Sequence, residues 1–312
     1  MQITNSHPGI LSKIASMLIV LVLAVACSTS PTPTPTATPA PVATPRSPTE
    51  TATLIAEVTE QIVYANVGEM TATLDVYTPS EAGSWPVVVV VHGWGLYKSN
   101  FEKLARSIAS QGAVVYNINV WFSVPFLPSI ERLACAIRFA RATAPDYDGD
   151  PNRITIVGHS AGAAAGVVVS LAGDDFKGDY CVVSDGSALP DAFVGYEGTY
   201  EFTTTNYGDV IDHTNLKQEN PELLDAINPY SHIGRNPNLQ VRLVHGVDDD
   251  YAWYDISPEE SIALNQALAD SGYAVELISV EGANHGSILY STSEAFALTV
   301  QQVMELARGL SE

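Results

Sequence analysis

The pentapeptide Gly158-His159-Ser160-Ala161-Gly162 constrains this chain more than any other feature. An apolar run, Ile154 to Val157, leads into it, and Ala161 to Leu171, a stretch of small residues, leads out. A strand that becomes a helix within a single residue makes a crowded turn. Glycines two positions before and after the serine remove the Cβ atoms that would clash there. The turn forces the serine into a strained backbone conformation and leaves its hydroxyl exposed. Ala161 then opens the helix, and its amide points where developing negative charge would sit. Ser160 is thus the candidate nucleophile and the Ala161 amide a candidate oxyanion donor.

The chain around this turn alternates β-branched runs with amphipathic stretches, the pattern of a mostly parallel central sheet with helices on both faces, an α/β architecture. The spacing predicts a hairpin of two strands, Leu54 to Tyr64 and Thr71 to Tyr77, turning around Asn66 to Gly68. Pro86 to Val91 is a continuous apolar run and reads as a buried parallel strand. Helices follow at 100–110, 129–143 and 161–171, with strands at 113–120, 154–157 and 180–184. From about 186 to 238 the chain is rich in Gly, Tyr, Phe and acidic residues and has no clear period. This is read as a cap or long insertion between the sixth and seventh core strands. Order resumes with a strand at 240–245, a helix at 258–271, a strand at 274–280 and a final helix at 293–310.

The first fifty or so residues differ from the rest. Lys13 precedes an apolar run from Ile14 to Ala26, the layout of a secretory signal and too short for an ordinary membrane span. The run closes on Leu23-Ala24-Val25-Ala26-Cys27, which resembles the lipobox of bacterial lipoproteins, with Ala24 where Leu is commoner. That resemblance implies a signal peptide over 1–26, lipidation at Cys27 and an exported protein anchored to a membrane of the cell envelope; ordinary cleavage, giving a soluble secreted protein, is the alternative. Residues 27–53 are almost entirely Pro, Thr, Ser and Ala, a composition that cannot bury a core and favours extended chain. They form a spacer, and 54–312 form the folded domain. Of the remaining cysteines, Cys135 and Cys181 either pair in an oxidising compartment or stand as small buried hydrophobes.

Composition narrows the chemistry. Lys and Arg total 14 against 35 Asp and Glu, a formal charge of -21 with no basic cluster, which argues against a nucleic-acid partner. The same charge disfavours anionic substrates at long range. No metal-ligand spacing is present. A serine hydroxyl needs a base at neutral pH, and histidine has a suitable pKa. His285, in Glu281-Gly282-Ala283-Asn284-His285-Gly286, lies between the last strand and the last helix, whereas His92, His159 and His245 each close or follow a core strand and suit structural roles. Val91-His92-Gly93-Trp94-Gly95 follows the first long buried strand, and its glycines allow close backbone approach. His245-Gly246-Val247-Asp248-Asp249-Asp250-Tyr251 offers three consecutive carboxylates.

These motifs, with Gly149-Asp150-Pro151-Asn152-Arg153 leading into the serine's strand, resemble bacterial carboxylesterases of the α/β-hydrolase superfamily over about residue 60 to the end. The stretch from Arg132 to Gly162 is most similar to the branch that includes feruloyl-esterase-like and kynurenine-formamidase-like enzymes. The resemblance implies ester hydrolysis through an acyl-enzyme, no cofactor, and a small-molecule ester as substrate. It also implies site roles. His285 stands where the superfamily places its base, and the pattern HGxxD selects Asp249 as the carboxylate that orients it. A minority arrangement puts the acid after an earlier strand, the place of Asp185. The loop at Gly93 corresponds to the oxyanion loop, with the Trp94 amide as second donor and Gly95 as the alternative. Trp121, Phe122, Tyr251 and Trp253 follow strand ends on the same side and are candidates to line the pocket. Two other readings remain: the same machinery acting on an amide, lactone or peptide bond, and a non-catalytic binding lipoprotein that keeps the fold.

Overall fold

The computed structural model describes residues 54–123, 125–202, 218–247 and 256–310. The signal and lipidation expectations at 1–26 and Cys27, the linker at 27–53, and the Asp249, Tyr251 and Trp253 assignments lie outside the described residues.

Eight strands form one sheet in the order β1-β2-β4-β3-β5-β6-β7-β8. They are β1 Ala56–Val67, β2 Met70–Pro79, β3 Trp85–Val91, β4 Val114–Ile118, β5 Gly149–His159, β6 Ala192–Tyr196, β7 Gln240–Gly246 and β8 Ala274–Val280. β1 and β2 pair antiparallel, β2 joins β4 antiparallel, and every later pairing is parallel. Among the described residues, α-helices flanking the sheet are α1 Glu102–Ala109, α2 Leu127–Thr143, α3 Ala161–Ala172, α4 Pro221–Ile227, α5 Pro258–Asp270 and α6 Glu294–Gly309. Strand order and helix placement are those of an α/β-hydrolase fold.

The pleat explains how one apolar run serves two cores. Val87, Val89 and Val91 of β3 enter the core shared with α2, α3 and α5, while Val88 and Val90 enter the core shared with α1 and α6. All five are fully buried, and each such side chain contributes roughly 1.5–3 kcal/mol relative to exposure. A polar residue at any of them would lose one face of the sheet.

One expected strand is absent. Tyr180 to Ser184 does not enter the sheet; it runs beside β1, where the Asn66 amide donates to the Tyr180 carbonyl and the Val182 amide to the Tyr64 carbonyl, each at 2.8–2.9 Å. A disulfide joins Cys181 to Cys135 of α2. Arginines of α2 hold the flanking chain by its carbonyls: Arg138 donates to Gly173, Phe176 and Gly186, and Arg141 to Ser187 and Leu189. The segment is thus held as an isolated bridge on the edge strand β1 and not as a strand within the parallel sheet. The sixth strand is instead Ala-Phe-Val-Gly-Tyr, all five residues buried, inside the stretch read as insertion. Its glycine, Gly195, and its short length hide the period. The insertion between the sixth and seventh strands therefore starts at 197.

Candidate active site

Ser160 and Ala161 after β5, Trp94 after β3 and His285 after β8 all follow C-terminal strand ends, the edge that a parallel sheet presents to ligands. Ser160 joins β5 to α3 with φ 55° and ψ -123°. Two helix amides, those of Ala163 and Ala164, donate back to its carbonyl at 2.9 and 3.0 Å. The glycines of the motif are sterically required. A Cβ on Gly158 would sit 2.4 Å from the Gly162 carbonyl oxygen, and one on Gly162 would sit 2.4 Å from the His92 carbonyl oxygen. The oxyanion loop is equally close: a Cβ on Gly93 would lie 3.0 Å from the Cβ of Ser160. The loop containing Trp94 is thus packed against the nucleophile's turn. Ala161 is the first residue of α3, so its amide is one of the four that a helix leaves without intrahelical partners.

His92 fixes that loop. Its Nε2 accepts from the Val120 amide at 3.1 Å, so Nδ1 carries the proton and donates to the Gly93 carbonyl at 2.8 Å. Burial pushes its pKa down to about 4, against a smaller opposing effect of the Gly93 bond. It is neutral near pH 7 and serves as a brace between β3 and the end of β4.

His285 lies beside the last residue of β5. Its ring centroid is 4.6 Å from that of His159, the residue before Ser160. The His159 Nε2–H donates to the His285 carbonyl at 2.8 Å, and the Tyr196 hydroxyl donates to the Asn284 carbonyl at 3.1 Å. Two core side chains at the ends of β5 and β6 therefore hold the main chain of the base's loop. The loop also closes on itself, with the Ser287 amide donating to the Asn284 carbonyl at 2.8 Å.

Among the pocket candidates, Trp94 and Phe122 stack at 5.9 Å, Phe122 stacks on Phe126 at 5.9 Å, and Phe126 meets Phe202 edge-on at 6.0 Å. Trp121 is half-buried, and its carbonyl accepts from Arg132 and from Ser129. Asp185, the alternative acid, is exposed and follows no core strand.

A residue that sequence reasoning missed stands next to the base. Glu197 follows β6 directly, is fully buried, and places Oε2 3.3 Å from Nδ1 of His285. Placing β6 at 180–184 concealed it; once the strand ends at Tyr196, the next residue occupies the position that Ser160 holds on β5. The sole signal in the sequence is a lone carboxylate within Gly195-Tyr196-Glu197-Gly198.

Curated relatives include a probable isoprenylcysteine alpha-carbonyl methylesterase of Arabidopsis thaliana, 28% identical over 240 residues, which cover 68% of this chain and 48% of that protein. Another is esterase LipQ of Mycobacterium tuberculosis, 30% identical over 167 residues covering 50% of this chain and 38% of that one. The chain spans about half the length, or less, of these relatives. Among solved structures, a truncated carbohydrate esterase from gut microbiota superposes with TM-score 0.67 at 18% identity over 84% of this chain and 99% of its own. The butyrate-bound esterase Est2 of Thermogutta terrifontis gives TM-score 0.63 at 22% identity over 82% of this chain and 94% of its own. The BD-FAE family's sequence pattern matches residues 74–268, well over half of the chain. By that match and by its sheet order, the chain belongs to the BD-FAE family of α/β-hydrolases.

Proposed function

We propose that this protein is a serine carboxylesterase that cleaves a neutral small-molecule ester through an acyl-enzyme. In this reading Ser160 attacks the carbonyl and His285 takes its proton and later returns it to the leaving alcohol. A carboxylate holds the imidazole, the role the HG-x-x-D spacing gives to Asp249. The amides of Trp94 and Ala161 bind the developing oxyanion. The observation that carries the reading is the strained Ser160 turn with the His285 loop held beside it by His159. The named esterases among its relatives, and the butyrate held by one structural neighbour, support an ester as substrate class. The half-buried face of Trp94 and Phe122 suits an apolar acyl or alcohol group.

Incubation with a fluorophosphonate probe tests the reading. Ser160 is expected to be labelled, and Ser160→Ala to lose both labelling and turnover of p-nitrophenyl esters. Absence of labelling in folded protein would sink it.

The proposal extends to location. We infer that the enzyme is exported and tethered to a membrane of the cell envelope through Cys27, with 28–53 as spacer. The Cys135–Cys181 disulfide supports an oxidising compartment. Cys27→Ser should move the protein from the membrane fraction to the soluble fraction; an unchanged distribution would count against the anchor.

A further inference from the structure

We propose that Glu197 is a positioning residue for the base: its carboxylate accepts the Nδ1–H of His285 and holds the imidazole turned toward Ser160. This inference rests on the Ser160–His285 reading above.

Four independent features converge on Glu197. The first is distance: Oε2 lies 3.3 Å from Nδ1 of His285, whose side chain is 13% exposed while that of Glu197 is completely covered. The second is backbone conformation. Glu197 has φ 45°, a left-handed value that a non-glycine residue adopts only at a cost, and Ser160 has φ 55° at the end of the neighbouring strand. Among the described residues only four non-glycine positions have positive φ, and two of these, Ser160 and Glu197, follow the paired last residues of β5 and β6. The third is anchoring. Glu197 Oε1 accepts from the Gly246 amide at 2.9 Å, which leaves the other oxygen directed at the base. The Glu197 amide in turn donates to the Val244 carbonyl at 3.0 Å. The fourth is the space left for it. A Cβ on Gly246 would fall 2.3 Å from the Ala283 carbonyl oxygen and 2.7 Å from Glu197 Oε1. Gly246 thus lets the end of β7, the carboxylate and the His285 loop meet.

A buried carboxylate needs ion pairing or hydrogen bonds to remain charged. The Gly246 amide offers part of this, and an imidazolium formed during catalysis adds to it. The pair is therefore worth most at the moment His285 holds the serine's proton, when a base needs support. Nδ1–H can be shared between two acceptors, so Glu197 acts whether or not Asp249 also reaches the ring. Among the described residues, titratable groups near the pair include His159 on β5, His245 at the end of β7, Tyr196 and Tyr200 beside Glu197, and Glu260 on α5. Burial raises the Tyr200 hydroxyl's pKa, with Glu260 and Glu197 adding to the rise, so that hydroxyl stays neutral.

Glu197→Gln is the sharpest test because it keeps shape and removes charge. A glutamine cannot satisfy both neighbours: with one oxygen, it must present its amide hydrogens either to the Gly246 N–H or to Nδ1–H. Expected for the full chain is a fall in kcat of at least about a hundredfold with KM little changed. The acidic limb of kcat/KM should move to lower pH, because a negative neighbour raises the base's pKa and its removal lowers it. A residue that only braced the fold would not move that limb. Glu197→Asp keeps the charge but retracts it, so turnover should drop at least about tenfold while the limb stays in place; this variant also decides the matter if the glutamine form does not fold. Asp249→Asn and Ser160→Ala run alongside. Activity surviving in Ser160→Ala would undo the underlying serine mechanism and not the carboxylate assignment alone. Wild-type kcat and pH profile in Glu197→Gln, or wild-type kcat in Glu197→Asp, would overturn the proposal, and all the more clearly if Asp249→Asn alone is inactive.

Discussion

The Ser160 amide donates to the carbonyl of Tyr196 at 3.0 Å, so the nucleophile's turn continues the hydrogen-bond ladder of the sheet at the point where both strands end. The serine is held in its strained conformation by that bond and by the first amides of α3.

Replacing the residue should expose the strain. Ser160→Gly removes a Cβ from φ 55°, ψ -123°, a gain of about 1–3 kcal/mol set against roughly 0.5–1 kcal/mol for glycine's freedom in the unfolded chain. A net rise in stability of about 1 kcal/mol is expected, read as a higher guanidinium midpoint at constant m-value, together with loss of ester turnover. A lower midpoint would show that the turn is not strained.

Gly162→Ala should act in the opposite direction. Its Cβ would meet two main-chain oxygens, those of His92 and Val91, at 2.4 and 2.5 Å, and neither can move without shifting β3. Destabilisation of about 3 kcal/mol or more is expected, and loss of activity should follow it. Thermal denaturation of the purified variant provides the measurement; a melting temperature within a degree or two of wild type would contradict the packing described.

The disulfide closes a loop of 46 residues between α2 and the segment beside β1. Loop-closure entropy for that length corresponds to about 4 kcal/mol, an upper figure when the reduced chain keeps residual structure. The Cys135→Ala, Cys181→Ala double variant should therefore unfold at distinctly lower denaturant, yet turn over esters normally at 25 °C, because the bridge lies beside β1, four places along the sheet from β5. Normal stability of the double variant would be the contrary result.

Stability should also fall on acidification through His92. Its folded pKa of about 4 lies below the ordinary value near 6.5, so between these limits the unfolded chain binds the extra proton. The contribution is thus complete above about pH 6.5 and is lost as pH drops toward 4, amounting to roughly 3 kcal/mol in all. Denaturant midpoints measured across that window should decline, and His92→Asn, less stable at pH 7, should decline less steeply. Parallel slopes for the two proteins would rule out His92 as a source.

Features set by local chemistry are legible in the amino-acid sequence. Alternating burial in Pro86 to Val91, the helix of small residues after Ser160, and the two glycines of the motif all act within a few residues, so pattern reveals them. β6 is not legible in the same way. Phe-Val-Gly-Tyr is short and broken by a glycine, whereas Cys-Val-Val is an unbroken apolar run, and only the long-range disulfide and the arginines of α2 keep the latter out of the parallel sheet. That single exchange of strands also hides Glu197, because a strand-end position has no meaning until the strand is known. Ser160, His285, Trp94 and Ala161 fall in one place at the sheet edge, and Phe122 joins them through its stack with Trp94.

The hydrogen bonds from His159 and Tyr196 that hold the His285 loop go to main-chain carbonyls, while the His159 ring lies 4.6 Å from the imidazole. Cutting the ring away would therefore leave its socket standing. In His285→Gly the vacated space would be walled by His159 and Glu197 and open toward Ser160, ready for a free imidazole from solution to occupy as a borrowed base.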